Sequence, residues 1–208
     1  MKYAKELDWT VPEPLSVKRW ENHSTYKIIQ SHSQYIHGSV ADLGCNNGIA
    51  CCMLSNLDSV TEVIGFDIST KAITEGVDVI DKHQKCKPDK IKLKYSNLLK
   101  IDSEGDYFDS AICFHTLEHI YPEDMDYVIS EIARVLKPGG CFVFTVPCEY
   151  AFSASDKHVS FFSIKDNDDY ICLSKLLKSH GFDVNEIYED ATLDNREQLC
   201  ITGMGVKQ

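Results

Sequence analysis

Residues 114–120, "FHTLEHI", hold a grouping that can move a proton. His115, Glu118 and His119 stand at i, i+3 and i+4, so a helical turn brings them to one face. Imidazole gains and loses a proton near neutral pH, and a neighbouring carboxylate can orient it. A second group, "CEYAFSASDKH" at 148–158, offers Glu149, Tyr150 and His158. Two chemistries suit these side chains. Either His115 or His119 accepts a proton from a nucleophile, or His115, Glu118, His119 and His158 together hold a divalent metal that activates a hydroxyl.

A third stretch, "VADLGCNNGIA" at 40–50, is built to bind. An apolar pair runs into Asp42, and a helix-compatible segment follows a turn bracketed by two glycines. Gly44 allows a sharp turn and Gly48 a close backbone approach, while Asn46 and Asn47 tolerate left-handed dihedrals better than most residues. A phosphate loop needs G-x-x-x-x-G-K-[ST], and a dinucleotide loop needs G-x-G-x-x-G. The G-x-x-x-G spacing here matches neither.

These residues need a scaffold. Apolar runs at 40–43, 63–67, 91–95, 108–114, 141–146, 184–189 and 198–203 read as strands. Helical patterns separate the first five. The clearest covers 123–136, opened by Pro122 and stopped by "KPGG" at 137–140. Further helices are expected over 24–37 and over 168–180, the latter ending at Gly181. Alternation of strand and helix predicts an α/β fold with a doubly wound, seven-stranded, mostly parallel sheet. The last two strands are joined by a short acidic segment with no room for a crossover helix. They must pair antiparallel, as a C-terminal hairpin at one sheet edge.

In such sheets ligands lie beyond the carboxyl ends of the strands. Residues 44–48 follow the first strand, Asp67 in "IGFDIS" ends the second, and Asn97 in "YSNLL" follows the third. A carboxylate at the second strand end can accept both hydroxyls of a ribose, and an amide after the third can pair with an adenine edge. Each residue alone reads as a strand-end cap. Three at successive strand ends read as one ligand site.

With these features, "YFDSAICFHTLEHI" (107–120), "ARVLKPGGCFVFTVP" (133–147) and "KHVSFFSIKDNDDYICLSKLLKSHGF" (157–182) give residues 38–206 a pattern that resembles the class I S-adenosylmethionine-dependent methyltransferases, in particular the small single-domain group. The resemblance implies a Rossmann-like methyltransferase fold and S-adenosylmethionine as cofactor. It implies that Asp42, Gly44, Cys45, Asn46 and Gly48 surround the methionine portion and that Asp67, followed by Ile68, holds the ribose. Asn97 with Leu98 would contact adenine, and Phe114 and His115 would border the methionine end. Two positions depart from the family pattern: Asn46 replaces a glycine, and Asn97 replaces an acid. An asparagine can adopt glycine-like dihedrals, and an amide can both donate to and accept from adenine.

The resemblance implies methyl transfer, most simply to the oxygen or nitrogen of a small molecule, with His115 or His119 taking the proton and no metal. Two alternatives stay open. The set His115, Glu118, His119 and His158 is similar to the metal site of the small-RNA 3′-terminal 2′-O-methyltransferases, with His115 replacing the first glutamate of Glu-x-x-Glu-His. The other is a catalytically inactive, cofactor-binding partner subunit. Residues 1–38, with Trp9, Trp20 and Tyr26, are expected to form an N-terminal arm and helix that cover the substrate. Residues 39–208 would form the catalytic domain.

Composition narrows the classes. The net charge of −11 over 208 residues argues against broad binding to nucleic acid or anionic membrane. No early apolar run has the length of a signal peptide or a membrane span, so a cytoplasmic protein is expected. The nine cysteines are scattered without a C-x-x-C pair, which predicts reduced core thiols.

Overall fold

The structure is a computed structural model, and it describes residues 23–147, 159–164, 170–190 and 200–208. Seven strands form the main sheet: β1 (Gly38–Leu43), β2 (Val60–Asp67), β3 (Ile91–Tyr95), β4 (Phe108–Phe114), β5 (Leu136–Pro147), β8 (Phe182–Asp190) and β9 (Cys200–Lys207). Their order is β3-β2-β1-β4-β5-β9-β8. Every pair from β3 to β5 is parallel, and β9 runs antiparallel to both β5 and β8. The expected hairpin therefore forms, with β9 inserted between β5 and the edge strand β8. Strand order reverses at β1, with β2 on one side and β4 on the other, which makes the β1 and β4 carboxyl ends the natural ligand crevice.

Among the described residues five helices cover the sheet: α1 (Ser24–Ser31), α2 (Ile49–Ser55), α3 (Thr70–Lys82), α4 (Pro122–Val135) and α5 (Leu173–Ser179). The start of α4 follows from Pro122 at its first position with Glu123 and Asp124 in the first turn, and Arg134 complements the dipole in the last. It buries Met125, Val128, Ile129, Ile132 and Val135. Side chains of α4 and α5 share one apolar cluster with Leu43, Phe66, Ala111, Phe142 and Phe144. Those of α1, α2 and α3 share the opposite one with Val40, Val63, Ile112, Val143 and Met204.

Four local expectations are corrected. The first helix stops at Ser31, where Ser31 and His32 bond back to the Ile28 carbonyl. The last helix starts only at Leu173, because Ile171 and Cys172 (β7) pair with Phe162 and Ser163 (β6) in a small separate sheet. The "KPGG" run ends α4 but lies inside β5, where the register slips from Phe108↔Leu136 to Ser110↔Cys141 and Gly139 takes a φ of 80°. Finally, Cys52 in α2 and Cys86 are joined by a disulfide, their Cα atoms 4.8 Å apart across a sequence separation of 34. Spacing that long carries no signal in the sequence; only the packing of α2 against the chain after α3 brings the pair together. Among the described residues, no helix is long and apolar enough to cross a membrane.

Ile129 sits fully buried in the α4 face. Truncation to alanine should lower the unfolding free energy by about 2–5 kcal/mol. Urea denaturation should show an earlier midpoint and an unchanged slope.

Candidate functional site

The turn after β1 is tied to β2. Gly44 N–H and Cys45 N–H both donate to the Phe66 carbonyl, at 2.8 and 3.0 Å. Gly44 has a φ of 79°, and a Cβ there would overlap the Thr116 side chain. Gly48 caps α2 with a φ of 76°. Asn46 has a φ of 49°, so it takes the left-handed conformation that a glycine would otherwise supply. Its Oδ1 is buried with no hydrogen-bond partner.

Asp67 reaches across from the end of β2. One carboxylate oxygen accepts the Asn46 N–H at 2.8 Å, and the other accepts the Ser69 N–H at 2.8 Å. Burial pushes its carboxyl above the usual range, against the hydrogen bonds from the Ser69, Asn46 and Ile68 amides. A carboxylate has about four lone-pair sites, so both oxygens keep capacity for a ligand's hydroxyls. Ile68, just beyond, packs partly buried against the core.

Beneath the turn lies Asp42, 3% exposed. Burial drives its carboxyl up to about 7, opposed by a hydrogen bond from the Cys51 thiol at 3.1 Å. Burial likewise raises Cys45 and Cys51, so both remain thiols. Sequence reasoning missed Gly65, whose backbone passes so close to Cys45, Cys51 and Leu93 that a Cβ would lie 2.8 Å from each of them.

The other expected residues ring the same strand ends. Asn97 follows β3, where its Oδ1 accepts the Leu99 N–H at 3.0 Å and Leu98 is buried behind it. That bond leaves the Asn97 amide group as the readier partner for a ligand. Phe114 ends β4. His115 follows with a φ of 51°, uncommon for a non-glycine, and its N–H donates to the Thr145 carbonyl at 3.0 Å.

The residues Leu117–His119 form a 3-10 turn. Glu118 is 2% exposed, with His115 Nδ1 at 3.6 Å and His119 Nε2 at 4.0 Å from its Oε1. The turn thus gathers the three residues, at separations longer than hydrogen bonds. Glu118 has a structural task too, since its carbonyl accepts the Val159 and Ser160 N–H groups. A further imidazole was not anticipated: His23, the N-cap of α1, whose Nδ1 accepts the Thr25 N–H. Burial lowers its pKa, and the charge of His115 lowers it further. Nothing in the spacing of residues 92 positions apart signals that coupling. Glu149, Tyr150, Trp9, Trp20 and His158, the fourth member of the possible metal set, lie outside the described residues. Among the described residues, no group of three His, Cys, Asp or Glu is placed to hold a metal ion.

Two outcomes are expected of the carboxylates. Asp67→Ala should weaken binding of S-adenosylhomocysteine by roughly 1.5–3 kcal/mol per charge-assisted bond lost, measured by calorimetry. Asp42 should govern a stability profile. Its folded-state value lies above that of the unfolded chain, so its contribution is full below the ordinary carboxylate range and is lost as pH rises through about 7. Asp42→Asn should flatten that fall and be the more stable form above it, by on the order of a few kcal/mol in urea denaturation.

Residues 41–144, half of the chain, match the family described as "Methyltransferase domain". A Mycolicibacterium smegmatis protein described as "probable S-adenosylmethionine-dependent methyltransferase" is 25% identical over 148 residues, 71% of this chain and 52% of that protein. The demethylmenaquinone methyltransferase of Leptospira interrogans is 27% identical over 143 residues, 68% of this chain and 54% of that enzyme. The chain therefore spans about half the length of these curated relatives. Among solved structures, the PH0226 protein of Pyrococcus horikoshii superposes with a TM-score of 0.73 at 18% identity, covering 96% of this chain and 95% of that one. That likeness is one of fold. With the family match, the glycine turn at the switch point and the acid at the second strand end, the chain belongs to the methyltransferase-domain family, among the class I S-adenosylmethionine-dependent methyltransferases.

Proposed function

We propose that this chain transfers a methyl group from S-adenosylmethionine to the oxygen or nitrogen of a small molecule. The observation that carries the reading is the turn at 44–48, held left-handed at Gly44, Asn46 and Gly48 and clasped by the Asp67 carboxylate. The cofactor fits the residues present. The cradle at Gly44 closes if a Cβ is added, Asn46 Oδ1 is a buried acceptor without a partner, and Asp42 is a buried acid whose proton a cationic ligand would displace. The sulfonium supplies an already activated methyl group.

The protein's own work is then alignment and proton uptake. The turn and Asp67 hold the donor side. His115, set in a left-handed backbone at the end of β4, and His119 stand on the acceptor side, with Glu118 buried between them. Either imidazole can take the proton a hydroxyl or ammonium releases. The likeness to the Leptospira interrogans demethylmenaquinone methyltransferase supports a small-molecule acceptor. The net charge of −11 weighs against RNA.

A turnover assay with methyl-labelled S-adenosylmethionine tests this across phenols, amines, sugars and RNA 3′ ends, with and without a strong chelator. Methylation of a phenol or amine that persists in chelator is expected. Replacing His115 or His119 by alanine should then cost about 10²–10⁴-fold in rate if that residue is the base. Methylation confined to RNA ends and lost in chelator would overturn the reading and favour a metal on the histidine cluster.

A further inference from the structure

Four side chains stand abreast across the sheet, just below its carboxyl rim. Phe114 of β4 is in register with Thr145 of β5, Thr145 with Thr202 of β9, and Thr202 with Tyr188 of β8. Partners in register project to the same face. That face carries α1, since Phe114, Val143 and Met204 share an apolar cluster with Ile28 and Ile29. At its far end α1 lies near the same face, with His32 Nε2 3.8 Å from Oε2 of Glu186, the residue opposite Met204. On the near side, Asp42 pairs with Ile112, so Phe114 lies two residues beyond that pair, towards the end of the sheet where the 44–48 turn follows β1.

The middle of this row is anomalous. Thr145 and Thr202 are both fully buried, and neither Oγ1 has a hydrogen-bond partner. Opposed threonines on paired strands commonly bond each other or a neighbour. Valine has the same shape and would fill both positions without an orphaned hydroxyl. Two unused hydroxyls side by side, with an aromatic residue on either flank, suit a ligand rather than a core.

We infer that Phe114, Thr145, Thr202 and Tyr188 form the floor of the methyl-acceptor site, and that the acceptor is a flat aromatic ring bearing a hydroxyl or carbonyl that bonds the paired threonines. The inference rests on the methyl-transfer reading above. The row begins towards the end of the sheet that carries the cofactor turn, and the Thr145 carbonyl holds the His115 amide, so a ring lying along it is within the reach of that turn and of His115. Entry requires the cover over this face to shift, and α1 is part of that cover. A buried hydroxyl pair also selects: it favours a ring with a polar group over the bare hydrocarbon.

The test uses 1-naphthol and naphthalene as probes on the full chain saturated with S-adenosylhomocysteine. The wild-type chain should bind 1-naphthol at least roughly tenfold more tightly than naphthalene. The double variant Thr145→Val and Thr202→Val should lose that preference while keeping its affinity for naphthalene and for S-adenosylhomocysteine. Thr145→Ser and Thr202→Ser, which keep the hydroxyls, should retain it. Equal binding of the two probes by the wild-type chain would overturn the inference without any variant. So would an unchanged preference in a folded valine variant. Failure of the wild-type chain to bind S-adenosylhomocysteine would instead overturn the methyl-transfer reading itself.

Discussion

The site depends on one carboxylate. Asp67 spans the gap between the first and second strand ends, accepting the Asn46 amide from one turn and the Ser69 amide from the next. Charge-assisted bonds to backbone amides are stronger than neutral ones, and here they fix the relative position of the two loops. The same Ser69 caps α3 by accepting the Ala72 amide, so the helix that follows is indexed to the same point. A ligand that bonds to Asp67 therefore meets a group already oriented by the fold.

Close approach is the second constraint. The turn can lie flat on β2 only because Gly65 and Gly44 have no side chain there, the one facing Cys45 and Cys51, the other Thr116. Small thiols fill the resulting space beneath the turn, and burial keeps them protonated. Asp42 shares that space. An acid held near 7 in an apolar pocket costs stability once it ionises.

The acceptor side is organised differently. The residues proposed for it come from β4, β5, β8 and β9, and β8 joins the row only because β9 inserts between it and β5. The charge of His115 reaches His23 at the start of α1, and Glu118 binds the chain at 159–160 through its carbonyl while its side chain lies between two imidazoles. The donor side is thus local and repetitive, one turn per strand. The acceptor side is assembled.

That contrast explains what could be read in the chain. The alternation of strand and helix, the α4 face, the hairpin and the placement of Gly44, Asp67 and Asn97 at successive strand ends were legible, because each depends on periodicity or on a turn chemistry carried by neighbouring residues. Asn46 was legible as a glycine substitute for the same reason, and the structure gives it a left-handed φ. Helix ends at 31 and 173 were not, since side-chain bonds back to the Ile28 carbonyl set the one and the small β6–β7 pair the other. Nor was the Cys52–Cys86 bridge, whose partners lie on different elements. By itself the sequence determined the fold class and the turns at the strand ends, through local rules of period, turn and charge. Only the tertiary structure decided which two hydroxyls lie buried together, because that relation belongs to register between strands that no local pattern encodes.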